Sequence, residues 1–152
     1  IFNMPVQFKI KNLANGLYLD IKHSGDISNM KEGSETSLFI QPYTGNWGQI
    51  WEVKSKHITN AASGFRLHHG NQDPNSPFAC MVKPTKEKHQ DWKRKGNCFI
   101  CKLDKKGLTV EGNDAGSKVV IRPFDVNNAP LDCQWEIEAI GGVDSGSDSD
   151  SD

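Results

Sequence analysis

The chain has 152 residues, a mass of 16.9 kDa and a formal charge of −1, from 18 Lys+Arg against 19 Asp+Glu. With 36% hydrophobic and 24% charged residues, the composition is that of one soluble globular domain, large enough to bury a core without disulfide staples. No run approaches the ~18–20 consecutive apolar residues of a membrane helix, which excludes a helical membrane span.

Residues 1–7 carry neither a charged start nor a long apolar run and do not read as a signal peptide, and the chain does not open on Met. The expectation is a processed or trimmed soluble product, cytoplasmic or secreted with its signal already removed or absent, the sequence leaving the compartment open. From there the sequence falls into short alternating segments in three similar groups. The first group covers 8–12, 16–21, 38–42 and 49–53; the second covers 57–60, 64–69, 79–84 and 90–92; the third covers 99–103, 107–111, 119–123 and 134–137. Val, Ile, Phe, Trp and Tyr dominate these segments, with apolar residues on alternate positions, as in Phe8/Ile10, Leu17/Leu19/Ile21, Trp51/Val53 and Trp135/Ile137. Gly, Asn, Asp and Ser fill the gaps, and residues 12–16 and 105–107 read as tight hairpin turns. No window sustains a helical period.

A fixed repeat decides the fold. Trp51, Trp92 and Trp135 are spaced 41 and 43 residues apart, and each group holds an apolar run ending in X-Pro: Gln41-Pro42, Lys83-Pro84 and Arg122-Pro123. Proline cannot donate to a ladder and therefore ends a strand. The second group fits least well, because Trp92 leads into Lys93-Arg94-Lys95 rather than an apolar run. About twelve short strands in three pseudo-repeats specify an all-β protein with threefold pseudosymmetry.

The chain closes on Gly141-Gly142 and a tail of Asp and Ser. Residues 144–152 hold four Asp, so the body without them carries 18 basic and 15 acidic groups, about +3. The tail has nothing apolar to bury and is expected to be disordered. Its Ser-Asp pairs suit an acid-directed kinase, and a solubilising role suits them equally. Its carboxylates are too flexible for a preorganised calcium site. Of the four cysteines, Cys98 and Cys101 have C-x-x-C spacing, but residues three apart on a strand face opposite ways and do not share a metal. Buried free thiols are the favoured reading, with a Cys101–Cys133 or Cys80–Cys98 bridge left open.

Gln49-Ile50-Trp51 and Gln90-Asp91-Trp92 are Q-x-W strings, Cys133-Gln134-Trp135 is a degenerate third, and Gly16-Leu17-Tyr18-Leu19-Asp20 is a G-x-Y-L-D strand. In these features the chain resembles the ricin B-chain type (R-type, Q-x-W) β-trefoil lectin family over roughly residues 5–140. The resemblance implies a β-trefoil domain over 1–142, with repeats at about 5–55, 56–97 and 98–140 and a disordered acidic segment at 143–152. It implies a non-catalytic lectin, of the kind that acts as a hemagglutinin, needing no cofactor and no metal. Its partners would be glycans or glycoconjugates, with several sites or an oligomer supplying avidity. Each Q-x-W Trp reads as core, since a buried indole offers a large apolar face and one N–H that wants a partner.

In the resembled family an Asp from the first hairpin, an aromatic stacked on the sugar and amides near Q-x-W hold the ligand. That mix suits a pyranose, which has an apolar C–H face and vicinal hydroxyls. The Asp position is read as Asp20, His68 and Glu111 in the three repeats. The stacking position before Pro is Gln41, Lys83 and Arg122, none of them aromatic, which departs from the family pattern. The loop Tyr43-Thr44-Gly45-Asn46-Trp47-Gly48 offers replacement aromatics, and Trp47 reads equally well as exposed or tucked in. The carbohydrate site is therefore assigned to Asp20, Gln41, Asn46, Trp47 and Gln49. Glu111, Arg122, Asp125, Asn127 and Asn128 form a secondary polar candidate that reads more readily as a solvated loop.

Residues 83–106 hold nine of the 18 basic groups: Lys83, Lys86, Lys88, Lys93, Arg94, Lys95, Lys102, Lys105 and Lys106. Against them stand Glu87, Asp91 and Asp104. Such a stretch favours an anionic polymer or lipid, sulfated glycans included. Enzyme signatures are absent: there is no G-x-S-x-G, P-loop or H-E-x-x-H, and His68-His69 on a strand would point apart. A third reading is a protease inhibitor acting through the loop at 72–77.

Overall fold

A computed structural model describes residues 6–22, 37–70 and 78–140. Among them are twelve antiparallel strands in three groups of four. The first group is β1 (Phe8–Asn12), β2 (Tyr18–Ile21), β3 (Leu38–Gln41) and β4 (Trp51–Lys54). The second is β5 (His57–Asn60), β6 (Arg66–His69), β7 (Ala79–Val82) and β8 (Trp92–Lys95). The third is β9 (Cys98–Cys101), β10 (Gly107–Val110), β11 (Val119–Arg122) and β12 (Trp135–Ala139). The strands before the three prolines end at Gln41, Val82 and Arg122, as a residue without a ladder donor requires.

Strands β1, β4, β5, β8, β9 and β12 form a ring. Hairpin ladders join β4 to β5 and β8 to β9, and β12 pairs with β1 over five residues. The three seams between ladders fall at the three tryptophans. Phe8 pairs with Trp51, Trp92 N–H donates to the Lys56 carbonyl at 2.8 Å, and Trp135 N–H donates to the Asn97 carbonyl at 2.7 Å. Hairpins β2–β3, β6–β7 and β10–β11 cap the ring and meet one another through the bridges Phe39–Lys118 and Phe78–Val120.

The core fills the ring and its cap. Ile10, Trp51, Ile58, Trp92, Phe99 and Trp135 are buried in one apolar cluster with Leu19, Leu67 and Leu108. Each indole N–H finds a carbonyl at the equivalent place: Trp51 to Leu19 at 3.2 Å, Trp92 to Leu67 at 3.0 Å and Trp135 to Leu108 at 3.0 Å. Trp92 thus matches its two counterparts despite its charged flank. Strand β8 forms because only Trp92 of its four residues needs to face inward; Lys93 and Lys95 are exposed, Arg94 lays its guanidinium over the Phe99 ring at 4.5 Å and donates to the Trp135 carbonyl at 2.6 Å, and β9 supplies a fully buried partner.

One register expectation is corrected. The hairpin partners are Lys11–Tyr18, Thr59–Arg66 and Ile100–Gly107, so Gly107 takes the place of Tyr18 and not of Gly16. The tight third turn therefore covers residues 102–105 rather than 105–107. Its left-handed residue is Lys105, with φ 64°, where the other two repeats use Gly16 and Gly64 at 74° and 76°. Gly107 leaves no room for a Cβ because Phe124 packs onto it. The four cysteines are free and buried, which removes both bridge alternatives.

Candidate functional site

Strand β2 carries Asp20 to the end of the first cap hairpin, one residue beyond the Leu19 carbonyl that receives Trp51. By the same register the equivalents of Asp20 are His68 and Thr109. Glu111 therefore does not occupy the Asp position assigned to it, because the two-residue shift of Gly107 carries it past the strand end. Glu111 instead lies exposed at 3.5 Å from Arg122 across the hairpin. Asp125 accepts from the Asn127 backbone N–H at 3.0 Å and from Asn128 Nδ2 at 3.3 Å, so these residues cap their own short turn. The secondary candidates thus form two separate exposed groups.

The primary candidates converge better. Asp20 is 2% exposed. Its Oδ1 accepts from the Ile21 N–H at 2.7 Å, and its Oδ2 accepts from Gln41 Nε2 and from Asn46 Nδ2 at 3.2 Å. Burial pushes the Asp20 carboxyl above its usual range, and the bonds from Asn46, Ile21 and Gln41 offset that only in part. Asn46 also caps the 3-10 turn Trp47–Gln49, accepting from the Gly48 N–H at 2.7 Å. A single side chain thereby ties the loop to the carboxylate.

Gln49 plays a different part from the one assigned by sequence. It is 0% exposed. Its Oε1 accepts from the Thr44 and Gly45 N–H groups at 2.8 and 3.2 Å, and its Nε2 donates to the Pro42 carbonyl at 3.0 Å. It shapes the 42–45 loop from inside. Gln90 does the same in the second repeat, through Thr85 N–H at 2.9 Å and the Lys83 carbonyl at 2.8 Å. The glutamine of Q-x-W is therefore a loop brace in this chain.

Trp47 resolves to the exposed alternative, with 56% of its surface in solvent. Asn60 Nδ2 donates to its carbonyl at 2.9 Å, which fixes the backbone and leaves the indole outside. Tyr43, which composition alone did not single out from its loop, is also exposed; its ring lies 5.4 Å from that of Tyr18, with the Lys9 ammonium 4.4 Å above it. The arrangement thus offers a carboxylate floor, two amide side chains and two solvent-facing rings on one hairpin and its following loop. Gly48 closes the set by lying directly against Asp20.

The basic stretch is mostly on the surface. Lys93, Lys95, Lys102 and Lys105 border a hollow of about 300 Å³ whose remaining wall is Ile100, Cys101 and Val126. Burial raises the thiols of Cys101 and Cys133 to about 11, so neither serves as a nucleophile at neutral pH. The 72–77 loop and the 143–152 tail lie outside the described residues.

No family model and no curated protein sequence matches the chain. Solved structures do match. A designed threefold-symmetric protein, ThreeFoil, superposes with a TM-score of 0.72 at 16% identity, covering 88% of this chain and 99% of its own. The C-half of the earthworm R-type lectin, solved with GalNAc, gives 0.70 at 17% identity, covering 90% and 100%. The β-trefoil lectin of the Vibrio vulnificus hemolysin/cytolysin, solved with N-acetyl-D-lactosamine, gives 0.70 at 17% identity, covering 90% and 96%. The fold is a β-trefoil. At these identities the likeness carries the architecture, while any ligand has to be argued from the residues of the chain itself. No helix among the described residues is long and apolar enough to cross a membrane.

Proposed function

We propose that this β-trefoil is a non-catalytic carbohydrate-binding lectin of the R-type kind whose working site lies in the first repeat. The observation that carries the reading is the Asp20–Asn46 contact beside the exposed Trp47. A carboxylate accepts from two vicinal hydroxyls, an amide supplies a donor and an acceptor, and an aromatic ring covers the C–H face of a pyranose. Gln41 stands where the resembled family stacks an aromatic, and it bonds to Asp20. On binding, a sugar hydroxyl takes over that bond, and Trp47 or Tyr43 supplies the missing ring. Such a shallow site is weak alone, so avidity comes from assembly or from multivalent glycans. A glycan array tests this directly: specific signals that Trp47→Ala erases support it, and a blank array at high protein concentration ends it.

The lysine-bordered hollow favours a second reading, in which the basic stretch of the central repeat, continued by Lys102 and Lys105 of the third, takes a sulfated or phosphorylated polymer or lipid headgroup. Four ammonium groups around one concavity attract multiple negative charge, and the attraction weakens with salt. Retention on heparin that disappears in moderate salt, and is reduced by Lys93→Glu with Lys102→Glu, supports it; passage through the column at low salt ends it.

A further inference from the structure

A third group of side chains, in neither the sugar site nor the lysine hollow, converges where β6 meets the 3-10 turn Lys88–Gln90. His68 is on β6, His89 is on the turn, and Glu87 is its capping residue, with a side chain that makes no capping bond. One donor atom from each lies within 4.8 Å of the other two. The two imidazoles stack, 10° from parallel with centroids 5.1 Å apart.

The bonds made by Gln90 set which nitrogen of His68 carries a lone pair. Gln90 cannot turn its amide over, because Oε1 accepts from Thr85 N–H and Nε2 donates to the Lys83 carbonyl. Its NH₂ therefore faces His68 Nδ1, at 3.3 Å, and that nitrogen presents a lone pair. The contact is long enough to yield to a stronger acceptor of that lone pair. His89 Nδ1 is buried without a hydrogen-bond partner, 3.8 Å from Glu87 Oε1. Buried polar atoms without partners are rare and call for an explanation.

We infer that His68, His89 and Glu87 form a site for a divalent transition metal, zinc being the ion that two imidazoles and a carboxylate suit best, with water in the open position. Zinc bonds of about 2.0–2.2 Å bring tetrahedral donors to within about 3.4 Å of one another. Side-chain rotation of exposed Glu87 and half-buried His89 closes that distance, while His68 stays fixed on β6. The Lys86 and Lys88 ammonium groups beside Glu87 are exposed and screened by water. A second carboxylate lies close on the other side: Asp104 is hydrogen-bonded to His69 Nε2 at 2.6 Å, and the His69 ring meets His89 edge-on at 6.5 Å.

The test uses the full chain without an affinity tag, stripped with a chelator and dialysed. Calorimetric titration with ZnCl₂ is expected to show one saturable site per chain, and CoCl₂ is expected to develop visible absorption at the same stoichiometry. His89→Ala and Glu87→Gln, each checked for native near-ultraviolet circular dichroism, are both expected to lose at least tenfold in zinc affinity; His89→Asn replaces the first should it misfold. Absence of saturable binding overturns the inference. So does undiminished zinc affinity in either variant, the result expected if the acidic tail or the cysteines take the ion.

Discussion

Gly48 packs against the Asp20 carboxylate so closely that no Cβ fits between them. The same hypothetical carbon would lie 3.0 Å from Asn46 Oδ1 and 3.4 Å from the Ile21 backbone nitrogen. Gly48→Ala must therefore displace the carboxylate or the loop that Asn46 ties to it. A stability loss of about 1–3 kcal/mol in urea unfolding is expected, together with loss of glycan binding. An alanine variant as stable as the parent, with binding intact, contradicts the packing described.

Trp47 gives the cleanest separation of binding from folding. Its ring is outside the core, so Trp47→Ala is expected to change stability by no more than about 0.5 kcal/mol while removing the glycan signal. A variant that keeps full binding would move the stacking role to Tyr43, and Tyr43→Ala then reports it.

Asp20 makes stability depend on pH. Burial holds its folded-state pKa above the unfolded value, so its contribution is complete below the unfolded pKa and fades as pH rises through the folded one. Comparison with Asp20→Asn isolates this group. Thermal melts are expected to show the parent gaining on the variant between pH ~7 and pH ~4, across the carboxylate range. A parent that loses ground on acidification refutes the assignment.

The indole bonds are structural. Trp92→Phe removes the donor to the Leu67 carbonyl and leaves a void, for an expected cost of about 2–4 kcal/mol, and Trp135→Phe should cost about the same through Leu108. Denaturant unfolding of the two variants measures this. A near-neutral Trp92→Phe would mean that the second repeat is not packed like the third.

The thiols offer a check on the interior. With Cys101 and Cys133 raised to about 11, roughly one in a thousand of either is ionised at pH ~8. Dithionitrobenzoate is expected to react negligibly with the native chain and to count four thiols after unfolding. Fast native labelling of Cys101 or Cys133 would contradict their burial.

The threefold repeat is legible in the order of the amino acids. Tryptophans at a near-constant spacing, period-two apolar runs and strand-ending prolines follow from how a strand buries one face, and they show in the letters of the chain. The aligned Leu19, Leu67 and Leu108 carbonyls behind each indole make that pattern a fold. The remaining features emerge only on folding, because they depend on contacts between residues far apart in the chain. Lys105 takes the left-handed turn position that Gly16 and Gly64 hold in the other repeats, because the Ile100–Gly107 pairing fixes where that turn must fall. Gln49 turned inward because the 42–45 loop leaves three backbone groups needing partners, and Trp47 stayed outside because Asn60 pins its carbonyl. The meeting of His68 with Glu87 and His89 belongs to the packing of a hairpin on a turn some twenty residues away, which no local spacing rule encodes.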